Sequence, residues 1–457
     1  MFIDRYEEMK CLQKQYVRED ASFVVVYGRR RVGKTTCISE FIKDKKSVYL
    51  LASEESDCMN RRLFQKQIEE TFHLKTDLGE WEDLFRTIPL DNQERTVIVL
   101  DEFQYLGEVN SAFPSILQRI WDTYLMKQNV MLILCGSLVS MMESQALNYA
   151  SPLYGRRTAQ MKMRQIPYRY YKEFYPDMEE SNRLKHYAVT GGIPKYIELF
   201  GYKDDVFDTI RETILNPNGF LYEEPLFLLK HEVSDTGNAF SVLSAIASGN
   251  RKISQIAAVL QISQSDLLKY LHTLMELDLV EKQVPVTENN PERSKKCIYR
   301  IKDHFISFWF RFIYPNRSRL EVHQDEAVLN KIRRDFPSSH LSYVYEDICR
   351  ERLLMMESTP DFNVELNLVG RWWDNHNHEI DLVGLDFENK TLIAAECKCW
   401  INQVGINILE QLEDKVPYVQ WMNEEREVKY VLFSVCGFTE DLKMLARRRN
   451  DVILIEG

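Results

Sequence analysis

The eight residues Gly28-Arg29-Arg30-Arg31-Val32-Gly33-Lys34-Thr35 constrain this chain more than any other stretch, because the spacing G-x-x-x-x-G-K-[ST] works only between a buried strand and a helix. Residues 23–27 (FVVVY) supply the strand, and the segment from Thr36 toward Lys43 supplies the helix. In that setting the glycines let the backbone turn tightly, so that its N–H groups and the helix N-terminus converge on phosphate oxygens. Lys34 then neutralises β/γ-phosphate charge, and the Thr35 hydroxyl is a ligand for Mg²⁺. Gly28, Arg29, Arg30, Arg31, Val32, Gly33, Lys34, Thr35 and Thr36 are therefore expected to line a site for ATP.

Three more short, β-rich apolar runs, at 47–51, 96–100 and 130–135, alternate with helical periodicity at 63–72 and 115–124. This alternation predicts a parallel sheet covered by helices. The run at 96–100 leads into Asp101-Glu102, which places two carboxylates at the C-terminal end of a buried strand. Asp101 is assigned to Mg²⁺ and Glu102 to general-base work on the attacking water. The next run ends in Gly136-Ser137, which makes Ser137 a candidate sensor of the γ-phosphate. Arg156 and Arg157 suit either an arginine finger aimed at a neighbour's nucleotide or a solvated surface. Lys195, after the Gly191-Gly192-Ile193-Pro194 break, reads as an exposed lysine ahead of a nucleotide sensor.

A chain of 457 residues exceeds what one core supports. The pattern changes divide it into a nucleotide-binding core (1–167), a helical lid (168–235), a winged helix (236–302), a helical connector (303–339) and a separate α/β domain (340–457). Net charge is −5 over residues 1–239, +5 over 240–320 and −11 over 321–457, so only the middle part is electrostatically suited to a polyanion. An odd number of cysteines, nine, set within apolar or helical patterns, suits a reducing compartment, and the expected location is cytoplasmic. Neither a signal peptide nor a membrane span is expected.

In the basic middle part, residues 240–247, 253–260 and 266–277 read as three helices, with Ser263 and Asp266 forming a capping box before the third. A strand at 280–286, a polar loop at 287–295 and a returning strand at 297–301 complete a winged helix-turn-helix pattern. Gln264, Lys269 and His272 on the third helix, with Lys295 and Lys296 in the wing, form the face expected to meet DNA. In the last domain a helix at 342–355 precedes strands near 364–369, 378–384, 391–398 and 428–434, with a helix at 405–414 between the last two. Asp381 and, fifteen residues on, Glu396-Cys397-Lys398 converge across adjacent strands, with Glu346 on the preceding helix as a fourth group. Asp381 and Glu396 are candidate ligands of Mg²⁺ or Mn²⁺, with the Cys397 carbonyl as a third, and Lys398 would sit beside the attacking water. The alternative at this point is a structural ion-pair cluster. Trp372 and Trp373 are read as core.

With these residues in place, the chain resembles the archaeal-type ATPases, a branch of AAA+/STAND-like P-loop proteins. The resemblance is carried by FIDRYEEMKCL, YGRRRVGKT, VIVLDEFQYL, LILCGSLVSMM, LYGRRTAQM, TGGIPKYI, YRIKDHFISFWFRFIYP, GRWWDNHNHEIDLVG and IAAECKCW. It implies an α/β fold with an AAA+-type parallel sheet, a helical lid, a winged helix and a C-terminal restriction-endonuclease-like domain of the PD-(D/E)xK type, here with Ile380-Asp381 in place of Pro-Asp. Two functions then stand open. In one, ATP hydrolysis controls a DNA-directed winged helix and a metal-dependent nuclease domain. In the other, the chain is a nucleotide-controlled switch for a protein partner or a second copy, with an inactive nuclease fold.

Overall fold

The computed structural model describes residues 3–457 except 78, 92, 234, 357–361, 363, 400 and 401, and gives no side-chain environment for 140, 231 and 232. The chain forms two compact units, residues 1–174 with 192–198, and residues 175–191 with 199–457. The stretch read as a lid is helical among its described residues, and its chain is divided between the two units.

The first unit is built on five parallel strands, β1 (Ser22–Tyr27), β2 (Ser47–Leu51), β3 (Thr96–Asp101), β4 (Val130–Gly136) and β5 (Ala159–Lys162), in the order β2-β3-β4-β1-β5. Every residue of β1, β3 and β4 is buried, which is why these strands read as unbroken apolar runs and not as alternations. β5 was not expected: its four residues AQMK carry too little apolar character to stand out, and only pairing with β1 makes them a strand. Helices Asp57–Phe72, Trp81–Thr87 and Phe113–Thr123 cover one face, where Trp81 packs edge-on to Phe113 with ring centroids 4.7 Å apart. In this order β4 lies between β3 and β1, so the C-terminal ends of all three open onto one place.

The second unit holds the predicted three helices, at Thr236–Ala247, Ile253–Leu260 and Gln264–Glu276. Ser263 caps the third, its hydroxyl oxygen accepting from Asp266 N at 3.1 Å. Strands β6 (Val280–Gln283) and β7 (Ile298–Ile301) pair antiparallel as the base of the wing. β6 stops short of the predicted end at 286 because Pro285 cannot donate to a ladder. Beyond it, Val286 N donates instead to Arg371 O at 3.0 Å, joining the wing to the last sheet.

That sheet comprises β8 (Leu368–Trp373), β9 (Glu379–Asp386), β10 (Thr391–Lys398), β11 (Glu427–Ser434) and β12 (Val452–Glu456), ordered β12-β11-β10-β9-β8. β8, β9 and β10 form an antiparallel meander, whereas β11 and β12 run parallel to β10. The first strand lies four residues later than the sequence suggested. Val364 and Leu366 are buried from an irregular segment, and on the strand itself Trp372 is buried as expected, whereas Trp373, also read as core, is only half-buried because strand alternation turns it to the other face. β12 and the helix Glu440–Arg448 were also unforeseen, since that helix buries Leu442 alone among its nine residues. Among the described residues no helix is long and apolar enough to cross a membrane. None of the nine cysteines forms a disulfide.

Candidate active site

The loop after β1 and the helix Lys34–Ile42 it opens carry the first site. Gly28 has φ 147° and faces the Met163 backbone so closely that a Cβ would lie 2.4 Å from its carbonyl oxygen. Gly33 has φ 90°, in the left-handed region that glycine enters without strain. Lys34 is buried, and its ammonium donates to Gly28 O at 2.7 Å and Arg29 O at 2.9 Å, inside the curve of the loop. Arg30 leaves the loop to donate to the Tyr105 hydroxyl at 2.7 Å.

Opposite the loop, Asp101 ends β3 with a carboxylate that is 2% exposed, so it must be satisfied within the protein. Thr35 Oγ1 donates to its Oδ2 at 2.9 Å, the Tyr49 hydroxyl donates to the same oxygen, and Glu102 N donates to Oδ1 at 2.9 Å. Glu102 sits at φ 52° and ψ 41°, a left-handed conformation that costs a non-glycine residue about 1–3 kcal/mol. Its carboxylate accepts from the Ser137 hydroxyl at 2.7 Å and from Gln104 Nε2. The structure thus brings Lys34, Thr35, Asp101, Glu102 and Ser137 together as predicted. Three partners were missed: Tyr49, Gln104 and Arg5. Arg5 is buried and donates to Val32 O at 2.7 Å and Arg164 O at 2.9 Å, tying the phosphate loop to the strand-end segment beside it.

A triphosphate with its magnesium ion fits these residues. Gly33 holds the left-handed turn into the helix, and Lys34 has donors now spent on loop carbonyls. Thr35 and Asp101 already share one hydrogen bond where a hard cation would need both oxygens. Arg156 does not project freely: it forms a two-point pair with Asp122 at 2.8 and 2.7 Å and donates to Pro152 O at 2.8 Å. Arg157 donates to Leu147 O at 3.1 Å, and Lys195 pairs with Glu198 at 3.1 Å on the surface.

In the second unit the last sheet gathers Asp381, Glu396 and Lys398 as predicted. Lys398 Nζ donates to Glu396 and lies 3.4 Å from Asp381 Oδ2, which also accepts from Cys397 N at 2.9 Å. A fourth member, Lys415 on the helix Ile406–Lys415, reaches Glu396 Oε1 at 2.7 Å. Burial and the Asp381 charge raise the Glu396 pKa. Burial alone would lower Lys398, but the charges of Asp381 and Glu396 outweigh it and hold the ammonium above its usual range. Glu346 is pushed up to about 8, mainly by burial, with Arg371 3.3 Å away opposing the shift. Among the described residues no group of three or more His, Cys, Asp or Glu is arranged to hold a metal ion. On the wing face, Lys269 pairs with Asp266 at 2.9 Å, His272 lies 3.3 Å from Glu276 and Lys296 pairs with Glu288 at 2.7 Å, while Gln264 and Lys295 are exposed.

Comparison with known proteins adds to this geometry. The family described as an ATPase domain predominantly from Archaea matches residues 2–200, and the one described as bacterial regulatory protein, arsR family, matches 240–282. Residues 309–409 match a family described as Archaea bacterial proteins of unknown function. An uncharacterized protein of Methanocaldococcus jannaschii is 33% identical over 400 residues, 87% of this chain and 87% of that one. An uncharacterized ATP-binding protein of the same organism is 44% identical over 46 residues, 10% of this chain and 78% of that one. Among solved structures, a Walker-type ATPase of Pyrococcus abyssi aligns at a TM-score of 0.52 and 20% identity, covering 68% of this chain and 96% of that chain.

Proposed function

Since the chain belongs to the family of the Methanocaldococcus jannaschii protein it matches along 87% of both lengths, and itself matches the archaeal ATPase domain and, further along, the arsR regulatory family, we propose that it hydrolyses ATP to control a nucleic-acid-directed second unit. The observation that carries the hydrolytic part is the convergence of Lys34, the Thr35–Asp101 pair and the Ser137–Glu102 pair at the ends of three adjacent strands. Bound ATP with Mg²⁺ supplies the scissile γ-phosphoryl group and a cation that neutralises its oxygens. Lys34 would exchange its two loop carbonyls for β/γ-oxygens, and Thr35 with Asp101 would hold the metal. Glu102 leaves Ser137 and Gln104 to take the proton of the attacking water, and the freed Ser137 hydroxyl turns to the γ-phosphate. The disulfide-free cysteines agree with a cytoplasmic setting.

The test is a pair of variants. Lys34→Ala is expected to lose nucleotide binding, and Glu102→Gln to retain it while turnover falls by roughly a hundredfold or more, within the range of general-base contributions. Unchanged hydrolysis in Glu102→Gln removes it as the base.

For the second unit, the cluster of Asp381, Glu396 and Lys398 on a meander followed by parallel strands supports metal-dependent phosphodiester cleavage, with Asp381, Glu396 and the Cys397 carbonyl holding Mg²⁺ or Mn²⁺. The wing face reaches DNA through Gln264, Lys269, His272, Lys295 and Lys296. The second reading, a protein-binding switch, is favoured by Lys415, which together with Lys398 already neutralises the two carboxylates. Asp381→Ala separates them. In the cleavage reading Mn²⁺ raises the melting temperature of the parent chain but not of the variant, and DNA cleavage stops. In the switch reading the variant melts lower by on the order of 1–3 kcal/mol, because Cys397 N and Lys398 lose an acceptor, and Mn²⁺ changes neither chain.

A further inference from the structure

A cleft in the second unit gathers cationic side chains that neither ATP hydrolysis nor the carboxylate–lysine cluster uses. It lies where the end of the first winged-helix helix and β7 meet the run His304–Ile313 and the segment Ser339–Val344. It is a shallow cleft open to solvent, and the space between its walls, with the solvent at its mouth counted in, is about 390 Å³. Arg251, Arg300 and Arg311 line it together with Ser307, and no carboxylate does among the described residues.

The three arginines are not equivalent. Arg300 is neutralised from behind by Asp347, whose Oδ1 accepts from it at 3.0 Å, and it also donates to Tyr343 O at 3.1 Å. Arg251 rests its guanidinium over the Tyr343 ring, 4.4 Å from the centroid, a contact that fixes its direction without cancelling its charge. Nε of Arg311 is buried with no hydrogen-bond partner among the described residues, and so is Nδ1 of His304 on the same wall. The carboxylate nearest in effect to Arg311, Asp335, is bound by the adjacent Arg334 at 2.7 and 3.1 Å. Burial, and then the charge of Arg251, hold the Arg311 guanidinium below its ordinary range. A guanidinium carries only donors, so a buried, unsatisfied Nε beside a second uncompensated cation costs free energy until an anion enters.

We propose that this cleft is a binding site for a phosphate monoester dianion, held by the paired forks of Arg251 and Arg311 with the Ser307 hydroxyl. Two cations match a dianion in charge. Planar forks suit two edges of a tetrahedral oxyanion, which a carboxylate would satisfy only in one plane. The same chemistry is offered by free phosphate, by a nucleoside monophosphate and by the 5′-phosphorylated end of a DNA strand.

The experiment uses the full chain carrying Lys34→Ala, so that the loop after β1 does not compete. Calorimetric titration with inorganic phosphate is expected to show one bound equivalent, weakened at least tenfold by Arg251→Gln and by Arg311→Gln. Arg311→Lys, which keeps the charge but loses the fork, falls between. Titrations with AMP and with an oligonucleotide bearing a 5′-phosphate or a 5′-hydroxyl then identify the source. A 5′-phosphate strand that binds more tightly than phosphate and AMP assigns a chain end, and phosphate and AMP that bind while the strand does not assign a small molecule. Because a variant can fail through folding, phenylglyoxal modification of the chain without Arg251 or Arg311 substitutions provides an independent measurement, with phosphate expected to protect Arg251 and Arg311. Absence of phosphate binding, binding indifferent to both glutamine substitutions, or phosphate that protects neither arginine overturns the proposal.

Discussion

Arg5 shows how a residue outside every motif can set the geometry of one. Its guanidinium satisfies the carbonyls of Val32 and Arg164 and pairs with Glu8 at 3.0 Å, while its own backbone sits at φ 79°. A residue held in the left-handed region by three side-chain contacts is being used to position something, and the carbonyl it fixes belongs to the loop that must direct N–H groups at phosphate. Arg5→Gln leaves the Val32 carbonyl buried without its charged donor, a loss of about 1.5–3 kcal/mol for a hydrogen bond to an ionised group. If that loss falls on the loop, ATP affinity drops roughly tenfold to a hundredfold while Glu102 chemistry is unchanged. Nucleotide titration with single-turnover kinetics checks the split, and a variant with wild-type affinity but low stability would make Arg5 a scaffold residue only.

At the level of elements, the Gly191-Gly192-Ile193-Pro194 break is more than a helix terminator. A Cβ on Gly192 would stand 1.9 Å from Ile166 O, and Gly192 O accepts from Ile166 N at 2.7 Å, so this backbone is pressed against the segment that follows β5. The same approach brings Pro194 to within 3.9 Å of where a Cβ on Gly33 would lie. Gly192→Ala therefore has to move backbone, not a side chain, and is expected to cost several kcal/mol of stability and to weaken ATP binding with it. Thermal melting and nucleotide titration of that one variant test both, and a melting temperature within a degree of the parent would show that the contact yields easily.

The elements also show what could be read beforehand. Strands β1, β3 and β4, fully buried, announced themselves as apolar runs; Lys34 followed from the G-x-x-x-x-G-K-[ST] spacing, and Asp101, Glu102 and Ser137 from their position at or just past strand ends. β5 and β12 did not, because four or five residues acquire strand character only from the neighbour they pair with. Tyr49 is hidden for the same reason. Its hydroxyl reaches Asp101 only because β2 lies beside β3 in a register that sets Leu51 opposite Asp101, and no local pattern in SVYLL carries that information. Lys415 joins Glu396 from a helix nineteen residues on, a distance in sequence that strand alternation cannot bridge.

On the scale of the whole molecule, the winged helix and the last sheet share one compact unit. Arg300 of β7 is buried and meets Asp347 of the helix Ser342–Met356, with His304 3.3 Å from the same carboxylate. Asp347→Ala strands a buried guanidinium, an error that costs about 3–5 kcal/mol. The expected result is a single transition at lower temperature in which the wing and the sheet are lost together, followed by calorimetry and limited proteolysis. Loss of the wing alone, with the sheet melting as before, would show that the pair joins two independent bodies. The backbone bond from Val286 to Arg371 carries this union on to the edge strand β8. Arg371, whose carbonyl takes the bond from the wing, also holds Glu346 at 3.3 Å, so the wing, β8 and the carboxylate whose pKa Asp381 helps to raise are joined in one chain of contacts.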